Sequence, residues 1–572
     1  MTNREIALNL GQIASILEIL EPNKNRFRIL AYEKSVQTIE NLTLELADIY
    51  AQGGLKALNE IDGVGESIAS TIEELLKTGK LAYLAELRKE VPVSELEFLK
   101  IPGVGPKTAV KIAKELKAKN IADLKKKIET GKAGKVFKEK TANNILRGIE
   151  VMSKLTGKLL IFEALSIAEE VVKFVKEFPQ TIQADYVGSL RRKKELIGDI
   201  DIVATSRNSE ELINAFVKLP FVDHIVTQGK NKSTIIHAAG VQIDLEIVPE
   251  AEYGSLLQHF TGSKEHNVAL RTYAQTQNKS VSEHGIKYEN KLHTFKTEQG
   301  VYEFLGMDFI VPELREDRGE IEAALAHNLP KLLELKDVKG DFHAHSNWSD
   351  GKNSIEEMVK YAEEIGYEYI AVTDHTIGLG IAHGLDEKRI LEREKEIETV
   401  RAKHKIKVFS GVEVNIKADG NLDIRDEILS GLDIVIASVH TSFNQSKDVM
   451  TARLVKTIEN PHVDIIGHPS GRMLGQHEAY EVDWEKVFES ASKNNTALEI
   501  SASPYRLDLA DYLVQIARKF KVKFTINTDA HKTDQLELMS YGVAVARRGW
   551  CEKNDIVNTM NLSDITKWTQ KD

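Results

Sequence analysis

From about residue 338 onward the chain repeats one unit: an apolar run, a histidine or acid at its C-terminal end, then a segment with helical spacing. "GDFHAH" begins the series as a strand, and alternation puts His343 and His345 on one face. "YIAVTDH" ends in Asp374-His375, "KVFSGVE" in Glu413, "DIVIASVH" in His440, "VDIIGH" in His468, and "KFTINTDAH" in Asp529 and His531. Successive βα units imply parallel strands, and α/β barrels keep their chemistry at strand C-termini. One such residue is more often a hydrogen-bonded structural group. Six strands each delivering one form a site.

Upstream the texture is different. "EIDGVGESIASTIEELLKTG" (60–79) and "KIPGVGPKTAVKIAKEL" (100–116) each join an apolar residue, a G-V-G turn and an amphipathic helix. Glycines permit the tight turn, and the helix N-terminal amides can bind a phosphate oxygen. The pair resembles the helix-hairpin-helix, which implies contacts to a DNA backbone without reading its sequence. Gly63, Gly65, Gly103, Gly105 and Lys107 are the candidate contacts. Between Lys107 and Lys140 twelve lysines face four acids, a local net of +8 in a chain whose formal net charge is −11. A charge run alone is usually a solvated face; after two clamps it fits a phosphate backbone.

From about residue 151 helices give way to mixed α/β. In "DYVGSLRRKKELIGDIDIVAT" (185–205), residues Ile197 to Ala204 read as a strand with Ile200 and Ile202 on one face and Asp199 and Asp201 on the other. "GVQIDLEIVPE" (240–250) turns Val241, Ile243, Leu245 and Ile247 inward and Asp244 the opposite way. Three acids on neighbouring strands can hold two Mg²⁺ ions. Gly-Ser and Arg191-Arg192, where a strand meets a helix, suit a triphosphate.

Over about 1–315, G-S-x-R-R, G-D-x-D, a third Asp and "HFTGSKEHNVALR" (259–271) resemble family X DNA polymerases of the polymerase β type. The resemblance implies that Asp199, Asp201 and Asp244 are catalytic metal ligands for Mg²⁺ or Mn²⁺. It implies that Ser189 and Arg192 hold the triphosphate, that Phe260 and Gly262 meet sugar and base, and that Asn267 and Arg271 reach base pair and template. Lys264 is a further candidate for the nucleotide. Two departures stand out. The first of the family's paired aromatics is here His259. Ser67 and Thr71 stand where lyase-competent relatives carry a nucleophilic lysine, so no Schiff base and no lyase are expected of the first domain.

Residues 311–338 read as a polar helical connector. Over about 338–572 the signature H-x-H, Asp, T-D-H, Glu, His, G-H-P, D-x-H resembles the PHP (polymerase and histidinol phosphatase) domain. By that resemblance His343, His345, Glu413 and Asp529 hold one metal, Glu413, His440 and His468 a second, and Asp350, His375 and His531 a third. Mn²⁺ or Zn²⁺, up to three ions, suits imidazoles with carboxylates. The reaction class is phosphoester hydrolysis.

The expected architecture is therefore multidomain. Helical helix-hairpin-helix domains span 1–90 and 91–150, a polymerase β-like palm 151–255, a thumb 256–315, a linker 316–337, and a PHP (β/α) barrel 338–572. At 572 residues the chain is long enough for several cores. The first residues lack the pattern of a signal peptide, no apolar run suits a membrane helix, and one cysteine, Cys551, fits a reducing compartment, so a cytoplasmic monomer is expected. The implied function is gap-filling DNA synthesis in repair on gapped or primer-template DNA with dNTPs, plus 3′–5′ exonuclease and abasic-site endonuclease activity. The alternative is a polymerase whose barrel is an inactive scaffold or hydrolyses a small phosphomonoester.

Overall fold

The computed structural model describes residues 3–20, 24–40, 46–59, 61, 63–91, 93–99, 101, 104–155, 158–378 and 382–569, and the chain divides into two compact units, Met1–Thr156 and Gly157–Asp572.

The first unit is helical. Its two G-V-G segments fold alike: Val64 N–H donates to the Ile61 carbonyl and Val104 N–H to the Ile101 carbonyl, both at 3.0 Å. Each turn leads into a helix, Glu66–Thr78 after Gly65 and Pro106–Lys114 after Gly105. The apolar stripes bury Ile68, Ala69, Ile72 and Leu75 in one and Ala109 and Ile112 in the other. Gly63 adopts φ 75°, a left-handed conformation that glycine takes freely. Gly103 lies outside the described residues. Lys107, Lys111, Lys114, Lys117 and Lys119 are exposed, as a phosphate-facing surface requires.

In the second unit a five-stranded sheet runs Thr181–Tyr186, Asp199–Ser206, Gln242–Ile247, Lys232–His237, Val222–Gln228. Helix Ile161–Glu177 covers it, burying Ala164, Ala168, Val171, Val172 and Val175. Strands Asp199–Ser206 and Gln242–Ile247 are parallel, and Asp201 is the register partner of Asp244. Helices Tyr253–Thr261 and Lys264–Thr276, three short strands and helix Glu298–Phe304 follow.

The chain then builds a seven-stranded, all-parallel sheet in sequence order, from Gly340–Asp341 to Phe524–Asn527. A parallel bridge between Ala344 and Ala530 joins the two ends, so the barrel nearly closes. The opening strand is only Gly340–Asp341; His343 and His345 lie just beyond it, held by that bridge rather than by a continuous ladder.

The connector departs from expectation. Within 311–338 only Glu320–Leu325 is α-helical, and Leu314, Arg315, Glu320, Ile321, Ala324 and Leu333 are buried. Its charges are paired inside the protein: Arg315 Nη1 donates to Glu298 at 2.6 Å and Glu320 bonds His266 at 2.7 Å. Composition made this stretch look solvated, but paired charges can be buried.

Candidate active site

The palm acids sit where strand pairing puts them. Asp201 and Asp244 point from adjacent strands to the same side, with Asp199 two residues earlier and exposed. Burial, then the charges of Asp199 and Asp244, raise the Asp201 carboxyl to about 7. Asp244 accepts from the Thr234 hydroxyl and from Gln242 Nε2 at 2.7 Å. Above them, Gly188 at φ 66° opens the short helix Gly188–Arg191, and a Cβ there would lie 2.5 Å from Asp201 Oδ2. Only glycine allows the turn bearing Ser189 to come so close to the acids.

Arg192 is nearly buried; its Nη1 donates to the Thr261 carbonyl and its Nε to Glu316 Oε1 at 3.0 Å. Thr261 ends a helix, Gly262 turns at φ 68°, and a Cβ on Gly262 would meet Arg192 Nη1 at 3.1 Å. Asn267 is fixed by its Nδ2 donating to the His259 carbonyl at 2.7 Å and by accepting from Gln258 at 2.8 Å. Lys264 and Arg271 are exposed on helix Lys264–Thr276. Phe260 lies beneath the ammonium of Lys232, 5.5 Å from the ring centre. Sequence reasoning missed Lys232, whose charge reaches Asp201 and Asp244, and Glu298, which bonds Arg191 at 2.5 Å. Both lie far from any motif, and only folding brings them in.

At the barrel's strand ends, nine side chains converge. Three sets have ligand atoms all within 4.8 Å: His345, Asp350, His375 and His531; His343, His345 and Asp529; His375, Glu413 and His440. His468 Nε2 is 3.0 Å from Glu413 Oε1, and His343 Nε2 is 3.6 Å from Glu413 Oε2. Glu413 is thus central, but two residues stand between sets: His345 also joins the Asp350 group, and His375 also joins Glu413 and His440. His343, His345 and Glu413 are fully buried, while Asp350, Asp529 and His531 border the open side.

Electrostatics favour a cation. Burial opposes the charge on Glu413, yet His375, His440 and His343 hold it well below the carboxylate range. Desolvation opposes the charge on Asp529 too, and His343 and His345 hold it ionised. Burial, with His531 and His375, lowers His345 to about 4, so it is neutral and able to ligate at pH 7. His343 Nε2, His345 Nδ1 and His468 Nδ1 are buried without a hydrogen-bond partner, and His375 Nδ1 lies 2.6 Å from Glu413 Oε2. Unpartnered ring nitrogens among close carboxylates are what divalent cations would satisfy.

A second ring of residues orients these groups. Glu499, fully buried on strand Ala497–Ser501, bonds His343 Nδ1 at 2.8 Å and accepts the His468 N–H at 2.6 Å. Asn415 bonds His440 Nδ1 at 2.7 Å. Asp374 faces away from the cluster: it accepts from Ser346 N–H at 2.7 Å, Ser349 Oγ at 2.9 Å and Arg393 at 3.1 Å, and so holds the loop that carries Asp350. Glu499 is the middle residue of Ala497–Ser501, the one barrel strand to which sequence reasoning gave no ligand-type residue, so the strand-end pattern does not reach it. An acid inside an apolar run is the signal that could have found it.

Several known proteins resemble this chain. Residues 256–316 match the DNA polymerase beta thumb, 341–503 the PHP domain, 1–81 a helix-hairpin-helix domain, and 55–118 and 95–150 the SAM-like helix-hairpin-helix tandem. The chain is 35% identical over 580 residues, the whole of both proteins, to the DNA polymerase/3′-5′ exonuclease PolX of Bacillus subtilis (strain 168). Over 231 residues, 38% of this chain and 89% of the relative, it is 32% identical to a probable phosphatase of Thermoanaerobacter sp. (strain X514). With full-length identity at that level, and thumb, clamp and barrel each matched in order, the chain belongs to the family X DNA polymerases that carry a C-terminal PHP domain.

Proposed function

We propose that this protein is a DNA-directed DNA polymerase that fills short gaps in DNA repair, and that its barrel degrades 3′ ends and cuts at abasic sites. The observation that carries the reading is the presence of two separate charged clusters in one unit: Asp201 and Asp244 in register beneath the Gly188 turn, and the nine-residue group around Glu413. Asp199, Asp201 and Asp244 would hold Mg²⁺ or Mn²⁺, and the barrel groups up to three Mn²⁺ or Zn²⁺ ions. Such cations supply Lewis acidity toward phosphoryl oxygens and an activated nucleophile at neutral pH.

The chain's own groups do the rest. Ser189 and Arg192 bind the triphosphate of the incoming dNTP, and the Gly262 turn brings backbone against the sugar while keeping Arg192 in place. Phe260 offers its face to the nucleotide, and Asn267, locked by two hydrogen bonds, presents a fixed amide to the base pair. Arg271, exposed and bonded through Nε to the Asn267 carbonyl at 3.1 Å, meets the template, and Lys264 the nucleotide. The G-V-G helices and the lysine-rich stretch grip the backbone of gapped or primer-template DNA, their strength falling with salt. No described helix is long and apolar enough to cross a membrane.

A 5′-labelled gapped duplex incubated with Mn²⁺, with and without dNTPs, tests the whole reading. Lengthening with dNTPs and shortening without them is expected. Neither change would leave an end-binding scaffold. A second reading, hydrolysis of a small phosphomonoester at the barrel, draws support from the probable phosphatases matched there; release of phosphate from p-nitrophenyl phosphate without shortening of DNA would select it.

A further inference from the structure

The segment that carries Ser189 and Arg192 is held from the barrel. Arg548, which ends helix Met539–Arg548 and is 4% exposed, donates through Nη1 to the carbonyl oxygen of Arg192 at 2.5 Å and to Glu316 Oε1 at 3.1 Å. Its Nη2 donates to Asp511 Oδ2 at 2.6 Å, and Asp511 also takes Arg318 at 3.2 Å. Glu316 is the shared acceptor: Arg192 Nε reaches it at 3.0 Å and Lys194 Nζ at 3.0 Å. Three residues farther along, Glu195 receives both terminal nitrogens of Arg472, at 3.2 and 2.8 Å. Arg472 follows four residues after His468.

This arrangement has a direction. Arg192 already spends its Nε on Glu316 and one Nη on the Thr261 carbonyl, so what it can offer a phosphate depends on how firmly Glu316 holds it. Arg548 shares Glu316 and caps the Arg192 carbonyl, dividing the pull of that carboxylate among three cations. Desolvation opposes the charge on the half-buried Glu316, but Arg548, Lys194 and Arg192 keep it ionised. Without Arg548 the carboxylate would draw Arg192 inward and leave a nearly buried carbonyl without its partner. A planar guanidinium is needed, since one fork must reach a carbonyl and two carboxylates at once.

Resting on the polymerase reading above, we propose that Arg548 of the barrel is a positioning residue for nucleotide addition: it sets Arg192 for the incoming triphosphate, with Arg472 and Glu195 anchoring the other end of the same segment. The barrel is then a working part of the nucleotide pocket as well as a site of its own.

Full-length wild type, Arg548→Ala and Arg548→Lys should be compared for single-nucleotide insertion over a dNTP titration, with 3′-end shortening measured in the same preparations. Arg548→Ala should raise KM for dNTP about 10-fold, the scale of one charged hydrogen bond, with kcat and DNA affinity changed less than about twofold. Shortening should proceed at the wild-type rate. Arg548→Lys, which keeps the charge and loses the fork, should fall between the two. An unchanged KM in Arg548→Ala would overturn the proposal. So would equal loss of both activities in Arg548→Ala with wild-type KM in Arg548→Lys, which marks a residue that only supports the fold. A wild type that shortens DNA yet adds no nucleotide would sink the polymerase reading itself, and this inference with it.

Discussion

In the palm, three carboxylates share one neighbourhood with Lys232, a cation itself paired to Glu246 at 2.9 Å; in the barrel, three carboxylates are set among six imidazoles. The consequences are opposite. Burial and like charges push Asp201 up to about 7, whereas the imidazoles hold both the fully buried Glu413 and the partly exposed Asp529 ionised. Anchoring differs too. Asp244 has Thr234 and Gln242, but the barrel ligands are oriented by Glu499, Asn415 and the loop held by Asp374. A site of like charges waits for cations that arrive with its substrate. A site of alternating charges is assembled in advance and suits resident metals.

The largest test of that contrast is Asp201→Asn. It keeps size and removes one charge from the palm, so nucleotide addition should fall by about three orders of magnitude or more, since metal alignment supplies most of the catalysis in phosphoryl transfer. Shortening of a 3′ end should persist. If it vanished while circular dichroism stayed native, both activities would belong to the palm and the barrel would be scaffold.

The converse is His343→Ala, which should cut 3′-end shortening about 100-fold or more while insertion continues. Metal content measured after exhaustive dialysis without chelator sharpens the comparison: wild type and Asp201→Asn should retain barrel ions, and His343→Ala should lose at least part of them. Equal retention in all three would show that His343 ligates nothing.

A smaller effect is expected at the second ring. Glu499→Gln leaves His343 with a weaker partner and should reduce metal affinity or shortening by about 10-fold, in the range seen for outer ligands. An unaltered metal titration would reduce Glu499 to a packing role.

The palm carries a pH signature of its own. With its carboxyl at about 7, Asp201 is increasingly protonated below that pH, and protons then compete with the cation. The Mg²⁺ concentration for half-maximal insertion should therefore rise as pH falls from 8 to 6, by up to about 10-fold at the lower end. A flat requirement would mean that Asp201 does not bind the ion.

Least of all should change in Lys264→Ala. The side chain is exposed, and a rise of about threefold in KM for dNTP would place it on the nucleotide. Weaker DNA binding with unaltered KM would make it a backbone contact instead.

Much of this molecule is legible in its sequence, for reasons that are local. Period-two alternation assigns Asp199, Asp201 and Asp244 to one side of a sheet without any knowledge of the neighbouring strands. The strand-end histidines declare a parallel barrel because crossover geometry always returns them to the same rim. The two G-V-G turns announce themselves because a glycine that can turn the backbone and a helix start are written within five positions. What the tertiary structure alone decided concerns charges that meet across long separations. Composition made 311–338 a polar connector, yet Arg315 and Glu320 are buried and Glu316 is half-buried, because their partners Glu298, Arg192, Arg548 and His266 arrive from distant segments. Likewise the sharing of His345 and His375 between ligand groups, and the reach of Arg548 into the nucleotide loop, depend on strand register and domain packing. A side chain's type and spacing say which face it takes; what it pairs with there is set by the whole fold, since electrostatic pairing acts through space and not along the chain.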